Sequence, residues 1–313
     1  MTLRGGPHVV VIGAASIDIK GRPFAAPIPA TSNPGDIRIS IGGVGRNVAE
    51  NLARLGVTTT LLTAVGDDTF GHQIISQTAA AGVDTSQVIY CSECRSGAYV
   101  AILDERGDMM MSIDDMRICE RMTPAYVRKH RKLISAADMI VVDTNLSLRT
   151  LHTVLDIAKK AGVPVCVDPV SVKLAERLIP RLCDYHLITP NAQEAEVLIG
   201  HTMTIQSVAD AAIVAQRLRA CGVRVVVITL GAEGLFYAAE AGAGHIPAIR
   251  TDVVDATGAG DALTAGVVYG LCNGMSFDEA MRVGVSAATL TLRSSETVSP
   301  DMSLEHVYER MVI

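Results

Sequence analysis

The sequence has no cluster of lysine and arginine and no long apolar run. Its 313 residues carry a formal net charge of −6, so a polyanion such as nucleic acid meets no electrostatic footprint. An anionic membrane surface lacks support for the same reason. Apolar runs such as 225–230 fall far short of the ~20 residues a membrane-spanning helix needs. Metal-binding patterns are missing too. Among seven cysteines and eight histidines, Cys91 and Cys94 form one CxxC, but no second pair and no His-x-x-x-His completes a zinc set. The cysteines read as small buried thiols, and the histidines as surface or satisfied buried groups. Aromatic residues make up only 4%, whereas 49% of residues are hydrophobic and 19% charged, a globular composition able to bury a large core. The opening MTLRGGPHVVVIGAAS has one Arg and a short apolar run ending in Gly, which reads as a first buried strand rather than a secretory signal. These features point to a soluble cytoplasmic protein.

Runs rich in Val and Ile recur at 8–13, 58–66, 137–143, 163–168, 185–189 and 223–231. Their hydrophobicity is continuous rather than alternating, which predicts strands covered on both faces. Helical patterns lie between them. In RNVAENLARLG, Val48, Leu52 and Leu55 share one face before Gly56 stops the helix, and LHTVLDIAKKAG ends the same way. Strand and helix alternate over most of the length, predicting a three-layer α/β/α single domain over 1–313 with a mostly parallel sheet. Two segments break that rhythm. Residues 17–41 are rich in Pro and end in an alternating strand, and 97–113 reads as two alternating strands around a turn at Asp104-Glu-Arg-Gly107. They predict a small β-sheet projecting as a lid, with edge strands of the main sheet as the alternative.

The stretch DATGAGD, Asp255 to Asp261, places a carboxylate at each end of a run of small residues. ALTAGVVYGLCNG follows with a helical pattern. Gly258-Ala-Gly260 therefore enters a helix, where unpaired N–H groups and the positive end of the helix dipole converge and attract phosphate. Asp261 falls in the first turn, where that field should keep it ionised near neutral pH. An acid beside bound phosphate suits a base that takes a proton from an attacking hydroxyl. A capping Asp on an ordinary turn is the bland alternative. The Walker A spacing and the dinucleotide fingerprint are both absent.

DATGAGD resembles the DTxGAGD signature of the ribokinase-like (PfkB) sugar and nucleoside kinases. Gly42-Gly-Val-Gly-Arg-Asn47, with Ser16 and Asp18 behind the first strand, resembles their other signature, and the TPNAQEAE and VITLGAEG segments extend the similarity along the whole chain. The resemblance implies a ribokinase-like fold, with Asp261 as catalytic base and the amides of Gly258, Ala259 and Gly260 as anion hole. It further implies that Ser16, Asp18, Gly43 and Asn47 hold the acceptor, with Gly43 letting it approach the backbone. Asn191, Thr229 and Gly231, together with Gly258 and Gly260, would bind ATP, and Glu194 would order Mg²⁺ through water. A potassium site is implied at Asp255 and Thr257, with Leu290, Arg293, Ser295 and Ser299 as further ligands, although RSSETVS lacks the Gly often found in that loop.

Within the family, SNPGDIRISIGGVGRNVAENLARLG, SIDDMRI and VVDTNLS resemble the bacterial pseudouridine kinases more than the ribokinases. Val44 stands where ribokinases usually have Lys, and Asn145 lies near the position of a sugar-binding Glu. Both soften charge around the acceptor and suit a neutral ribosyl group carrying a base. Asp114 and the neighbouring Asp115 and Met116 would face that base, or else are solvated loop residues. The resemblance also implies a homodimer through the lid. Other kinases of the family, a non-catalytic nucleotide or sugar sensor, and an NAD-dependent oxidoreductase stay open as alternatives, the last disfavoured by the missing fingerprint.

Overall fold

A computed structural model describes residues 6–311. The strands are β1 His8–Ile12, β2 Ser16–Pro23, β3 Gly35–Gly42, β4 Thr58–Leu62, β5 Ala64–Gly66, β6 Ile89–Cys91, β7 Gly97–Leu103, β8 Met109–Asp115, β9 Met139–Asp143, β10 Val165–Asp168, β11 Leu187–Ile188, β12 Val225–Thr229, β13 Leu235–Ala239 and β14 Gly242–Ile246. Eight form one sheet in the order β14-β13-β12-β11-β10-β9-β1-β4. Pairings from β4 across to β12 are parallel, and the last two are antiparallel.

Continuous hydrophobicity has its reason in this sheet. Val10, Ile12, Ile140, Val142 and Val167 enter one core, while their neighbours Val9, Val11, Val141 and Cys166 enter another on the opposite face. Each strand thus supplies side chains alternately to two helical layers. The helix Val44–Arg54 buries Val48 and Leu52, and Gly56 follows at φ 82. Gly162, at φ 71, closes the helix Leu148–Ala161.

A separate four-stranded sheet takes the order β3-β2-β7-β8, built from the two segments that break the strand and helix rhythm. The Asp104 carboxylate closes the β7–β8 turn by accepting N–H bonds from Arg106 at 2.8 Å and Asp108 at 2.9 Å. Gly107 supplies the positive φ of 96.

Three features differ from the sequence reading. The run at 58–66 is two strands, since β4 joins the main sheet and β5 pairs with β6. The hairpin β13–β14 escapes detection because its Ala- and Gly-rich sequence barely alternates. The cysteines are not uniformly buried thiols: Cys91 and Cys94 form a disulfide, Cys183 and Cys221 are exposed, and only Cys119 and Cys166 lie fully in the core. Among the described residues, no helix is long and apolar enough to cross a membrane.

Candidate active site

The chain runs from β1 outward to β4, then crosses back to β9 and continues through β10, β11 and β12. Ligands in open α/β sheets bind outside the carboxyl ends of the strands, where the order reverses. Between β1 and β9 the structure places Asp143 there. One carboxylate oxygen accepts N–H bonds from Ala14 at 2.7 Å and Gly45 at 3.0 Å, and the other accepts from Asn145 at 2.9 Å. Asp143 thereby fixes the loop after β1 and the start of the helix Val44–Arg54. Asp168 and Thr229 end β10 and β12, and Asn191 follows β11 by three residues.

Asp261 lies in the first turn of the helix Ala259–Cys272, as the spacing predicts. Gly258 precedes it at φ 83, a conformation glycine adopts without strain, and any Cβ there would collide with the Thr297 carbonyl. Early N–H groups of a helix have no partner within it, although the Ala259 amide turns back to the Ala256 carbonyl at 3.3 Å. Folding adds influences on the charge of Asp261 beyond the helix dipole. The side chain is only 8% exposed, and burial pushes its carboxyl up to about 7, opposed by the Asn47 hydrogen bond and reinforced by Asp143 and Asp18. At neutral pH it is poised between its two forms rather than fixed as an anion, which suits an acceptor of protons.

Asn47 donates to Asp261 Oδ2 at 2.7 Å. Its own Oδ1 accepts from Arg46 at 2.8 Å and Thr297 at 3.1 Å, so the carboxamide cannot turn. Arg46 is buried, ion-paired with Glu50 and bonded to the Ile41 carbonyl. Neither Arg46 nor Thr297 was found from sequence, though the Arg46 to Glu50 spacing of one helical turn was a signal. Asp18 is buried and accepts from Ser16 at 3.0 Å. Burial raises its carboxyl, opposed by Ser16 and the nearby cations. Gly43 has a structural role beside the one expected. At φ 94 it caps the helix, and a Cβ would strike the backbone of Ala14 and Ala15, so packing of the chain on itself requires it.

Strand register places the acceptor-side residues on one face of the small sheet. Asp18 is level with Ser40 and Tyr99, and Tyr99 with Asp114. Alternate rows carry Ile39, Ile19, Val100 and Ile113, the opposite and apolar face. Asp114 and Asn145 line one cavity of about 480 Å³ with Arg177. Asp18 and Asn47 stand apart from that cavity's lining.

On the other side of the helix tip, Thr229, Gly231 and Gly260 line a cavity of about 740 Å³ whose walls include Ile249, Leu263 and Leu292. Asn191 lines an adjoining cavity of about 440 Å³ that shares Thr229 and Gly231. Asn191 and Glu194 bond each other's backbone N–H groups, both at 2.9 Å, in a capping box. One Glu194 oxygen is left over. Glu194, Asp168 and Asp261 are all buried carboxylates, and burial followed by repulsion from Asp261 and Glu194 pushes Asp168 well up. Among the described residues no direct set of three metal-ligating side chains forms. Crowded carboxyl groups whose mutual repulsion a cation would relieve, without a tight ligand cage, fit Mg²⁺ that keeps its waters and is held largely by phosphates.

The potassium set fits poorly. The Lys20 ammonium lies 2.5 Å from Asp255 Oδ2 and 2.6 Å from the Thr257 hydroxyl, and the Thr257 N–H takes the other Asp255 oxygen at 2.9 Å. Leu290 accepts the Arg293 N–H at 3.4 Å, Ser299 accepts that of Asp301 at 3.3 Å, and the Arg293 and Ser295 side chains are exposed. Lys20 escaped the sequence reading, although a strand period of two places it on the face of Asp18.

A parallel sheet whose strand ends converge on a helix tip with open N–H groups and a buried carboxyl is an arrangement that can hold a phosphate beside a proton acceptor, as a phosphotransferase requires. The chain belongs to the pfkB family of carbohydrate kinases, whose profile matches residues 7–303. A pseudouridine kinase from Escherichia coli (strain K12) is 37% identical over 306 residues, covering 97% of this chain and 96% of that one. A guanosine-inosine kinase from Exiguobacterium acetylicum is 30% identical, covering 94% and 97%. An Arabidopsis thaliana ribokinase solved with ribose and ATP superimposes with a TM-score of 0.84 at 23% identity, covering 99% of this chain and 100% of that one. The fold is ribokinase-like, as the sequence motifs imply, and the chemistry is that of a kinase.

Proposed function

We propose that the protein transfers the γ-phosphoryl group of ATP to the 5′-hydroxyl of pseudouridine, giving pseudouridine 5′-phosphate and ADP. The observation that carries the reaction is the buried Asp261 carboxyl, held by Asn47 at 2.7 Å beside the helix tip. Asp261 takes the proton from the acceptor hydroxyl as its oxygen bonds to phosphorus, and the bond between phosphorus and the ADP oxygen breaks. The amides of Gly258 and Gly260 stabilise charge on the transferring group, joined by that of Ala259 as it leaves its 3.3 Å bond to the Ala256 carbonyl. Thr229, Gly231 and Asn191 bind the nucleotide in the two adjoining cavities, and Ser16, Asp18 and Asn47 hold the ribosyl hydroxyls. Glu194 and Asp168 would hold the waters of Mg²⁺, which when bound would neutralise charge on the phosphates. The small sheet closes as a lid and excludes water that would otherwise hydrolyse ATP. Such an ATP-dependent reaction belongs in the cytoplasm, among small molecules rather than on a membrane or nucleic acid.

The choice of acceptor is supported by the similarity to the Escherichia coli enzyme and by neutral Asn145 sharing a cavity with Asp114. A purine nucleoside is the second reading, favoured by the guanosine-inosine kinase relative. A panel of pseudouridine, uridine, ribose, adenosine and inosine, read as ADP release, separates them. Pseudouridine should exceed every other acceptor in kcat/KM by at least about tenfold, the scale of one or two hydrogen bonds to the base. Equal or better turnover of inosine or ribose would refute this choice.

The apolar face of the small sheet exposes Ile37, Ile39, Met111 and Ile113, each more than half accessible. Such a patch marks an interaction site, and a homodimer formed through it covers the face with a second copy. Ile39→Glu should convert a dimer to a monomer in sedimentation velocity; a wild-type monomer at micromolar concentration contradicts this assembly.

A further inference from the structure

Lys20 is on β2, two residues after Asp18 and on the same face of the small sheet. Its ammonium reaches across to the other side of the cleft and bonds Asp255 at 2.5 Å and Thr257 at 2.6 Å. Thr257 immediately precedes Gly258, and Asp255 lies two residues before Thr257. The ion pair is sheltered, with side chains 16% and 20% exposed, and burial of Asp255 is outweighed by Lys20 and Thr257, which together hold its carboxyl below the usual range. Asp255 is also tied from behind, because the Leu292 carbonyl accepts the N–H of Val254 at 2.8 Å and of Asp255 at 3.4 Å. The turn that aims the Gly258 to Gly260 amides is therefore clamped by a helix end on one side and a lysine on the other.

An ammonium group and a potassium ion carry the same charge and are similar in size, but their needs differ. Potassium wants a shell of several oxygens, whereas an ammonium donates three directed hydrogen bonds. Here one carboxylate and one hydroxyl meet the ammonium, while the Leu290 carbonyl and the Ser299 hydroxyl accept N–H bonds at a helix end and in the turn after it. We propose that Lys20 is a built-in monovalent cation: it takes over the role expected of potassium, neutralising Asp255 and holding the Asp255–Thr257 turn so that the phosphoryl-binding amides stay aimed. Lys20 is a positioning residue, acting through that turn. The inference rests on the reading of the helix tip as the phosphoryl site, and it makes the enzyme independent of added potassium.

The test compares wild type, Lys20→Met and Lys20→Arg in chloride salts of potassium, ammonium, sodium and N-methylglucamine at constant ionic strength, reading both turnover and thermal unfolding. Wild-type kcat should change less than about twofold between potassium and N-methylglucamine. Lys20→Met should lose roughly 10- to 100-fold in kcat in N-methylglucamine, the scale of a charged hydrogen bond, with little change in acceptor KM. Potassium or ammonium should recover most of that loss. Potassium should also raise the melting temperature of Lys20→Met alone. Lys20→Arg, which keeps the charge, should remain indifferent to the salt. Wild type activated tenfold by potassium, Lys20→Met with undiminished turnover, or Lys20→Met impaired and rescued by no cation each overturn the proposal. A wild type that phosphorylates no acceptor in any salt would instead sink the kinase reading of the site, and the melting curves would still decide whether Lys20 stands in for the ion.

Discussion

Replacing Asp261 with Ala lowers turnover by roughly 10²–10⁴-fold, the range for loss of a positioned proton acceptor, while nucleotide affinity changes little. The carboxyl is bonded to Asn47, a residue proposed to hold the acceptor, whereas the cavity proposed for the nucleotide is lined by Gly260 and Leu263 on the same helix without Asp261. A buried acid raised to about 7 also shapes the pH dependence. Below that value Asp261 carries a proton and cannot accept another, so kcat/KM falls as pH drops through about 7. Asp261→Asn abolishes that limb along with the activity. Stability moves the other way. The folded carboxyl binds a proton up to about pH 7 and the unfolded one only up to about pH 4. Its contribution to stability is fully present below about pH 4 and is lost as pH rises to about 7. Asp261→Asn, which escapes that penalty, should gain in melting temperature relative to wild type over the same window. Equal melting curves at pH 8 would show that the burial of Asp261 carries no strain.

Gly258→Ala and Gly260→Ala should part company although the two glycines are two residues apart. At Gly258 a Cβ meets the Thr297 carbonyl in a backbone conformation of φ 83. The strain of such a conformation alone is about 1–3 kcal/mol, and relieving the collision displaces the amides. Turnover should drop by roughly 10²–10³-fold, as for loss of a donor from an anion hole, with a lower melting temperature. At Gly260 no heavy atom lies within 4 Å of an added Cβ, and the residue lines the nucleotide-side cavity. Gly260→Ala should fold as wild type yet raise the KM for ATP about tenfold, because the methyl takes space the nucleotide needs. Steady-state kinetics with ATP varied, beside melting curves, separate these outcomes. A Gly258→Ala protein with normal turnover would remove the amides from the mechanism.

How far the sequence could be read depended on whether a feature was local. The buried strands were legible because Val9 to Ile12 and Met139 to Asp143 must satisfy cores on both faces, which forces continuous hydrophobicity. The helix tip was legible because Gly258 and Asp261 lie in one short run. The small sheet followed from strands with one polar face. Pairings across the chain were not legible. Lys20 and Asp255 are 235 residues apart, and nothing in SIDIKGR shows that its lysine meets DATGAGD. Asp143 and Asp168 each end an apolar run, IVVD and VCVD, and a carboxylate closing a buried strand was a signal left unused. The charge state of Asp261 is not legible for a related reason. The helix dipole is visible in the sequence, but the burial and neighbouring carboxylates that raise the carboxyl arise only on folding.

The most direct measurement is a crystal structure with ADP, aluminium fluoride, Mg²⁺ and pseudouridine. The fluoroaluminate should lie against the Gly258 to Gly260 amides, in line with a 5′-oxygen within about 2.6–3.2 Å of the Asp261 carboxyl. Fluoroaluminate bound elsewhere, or a 5′-oxygen directed away from Asp261, would contradict the assignment of this helix tip and its acid as the site of phosphoryl transfer.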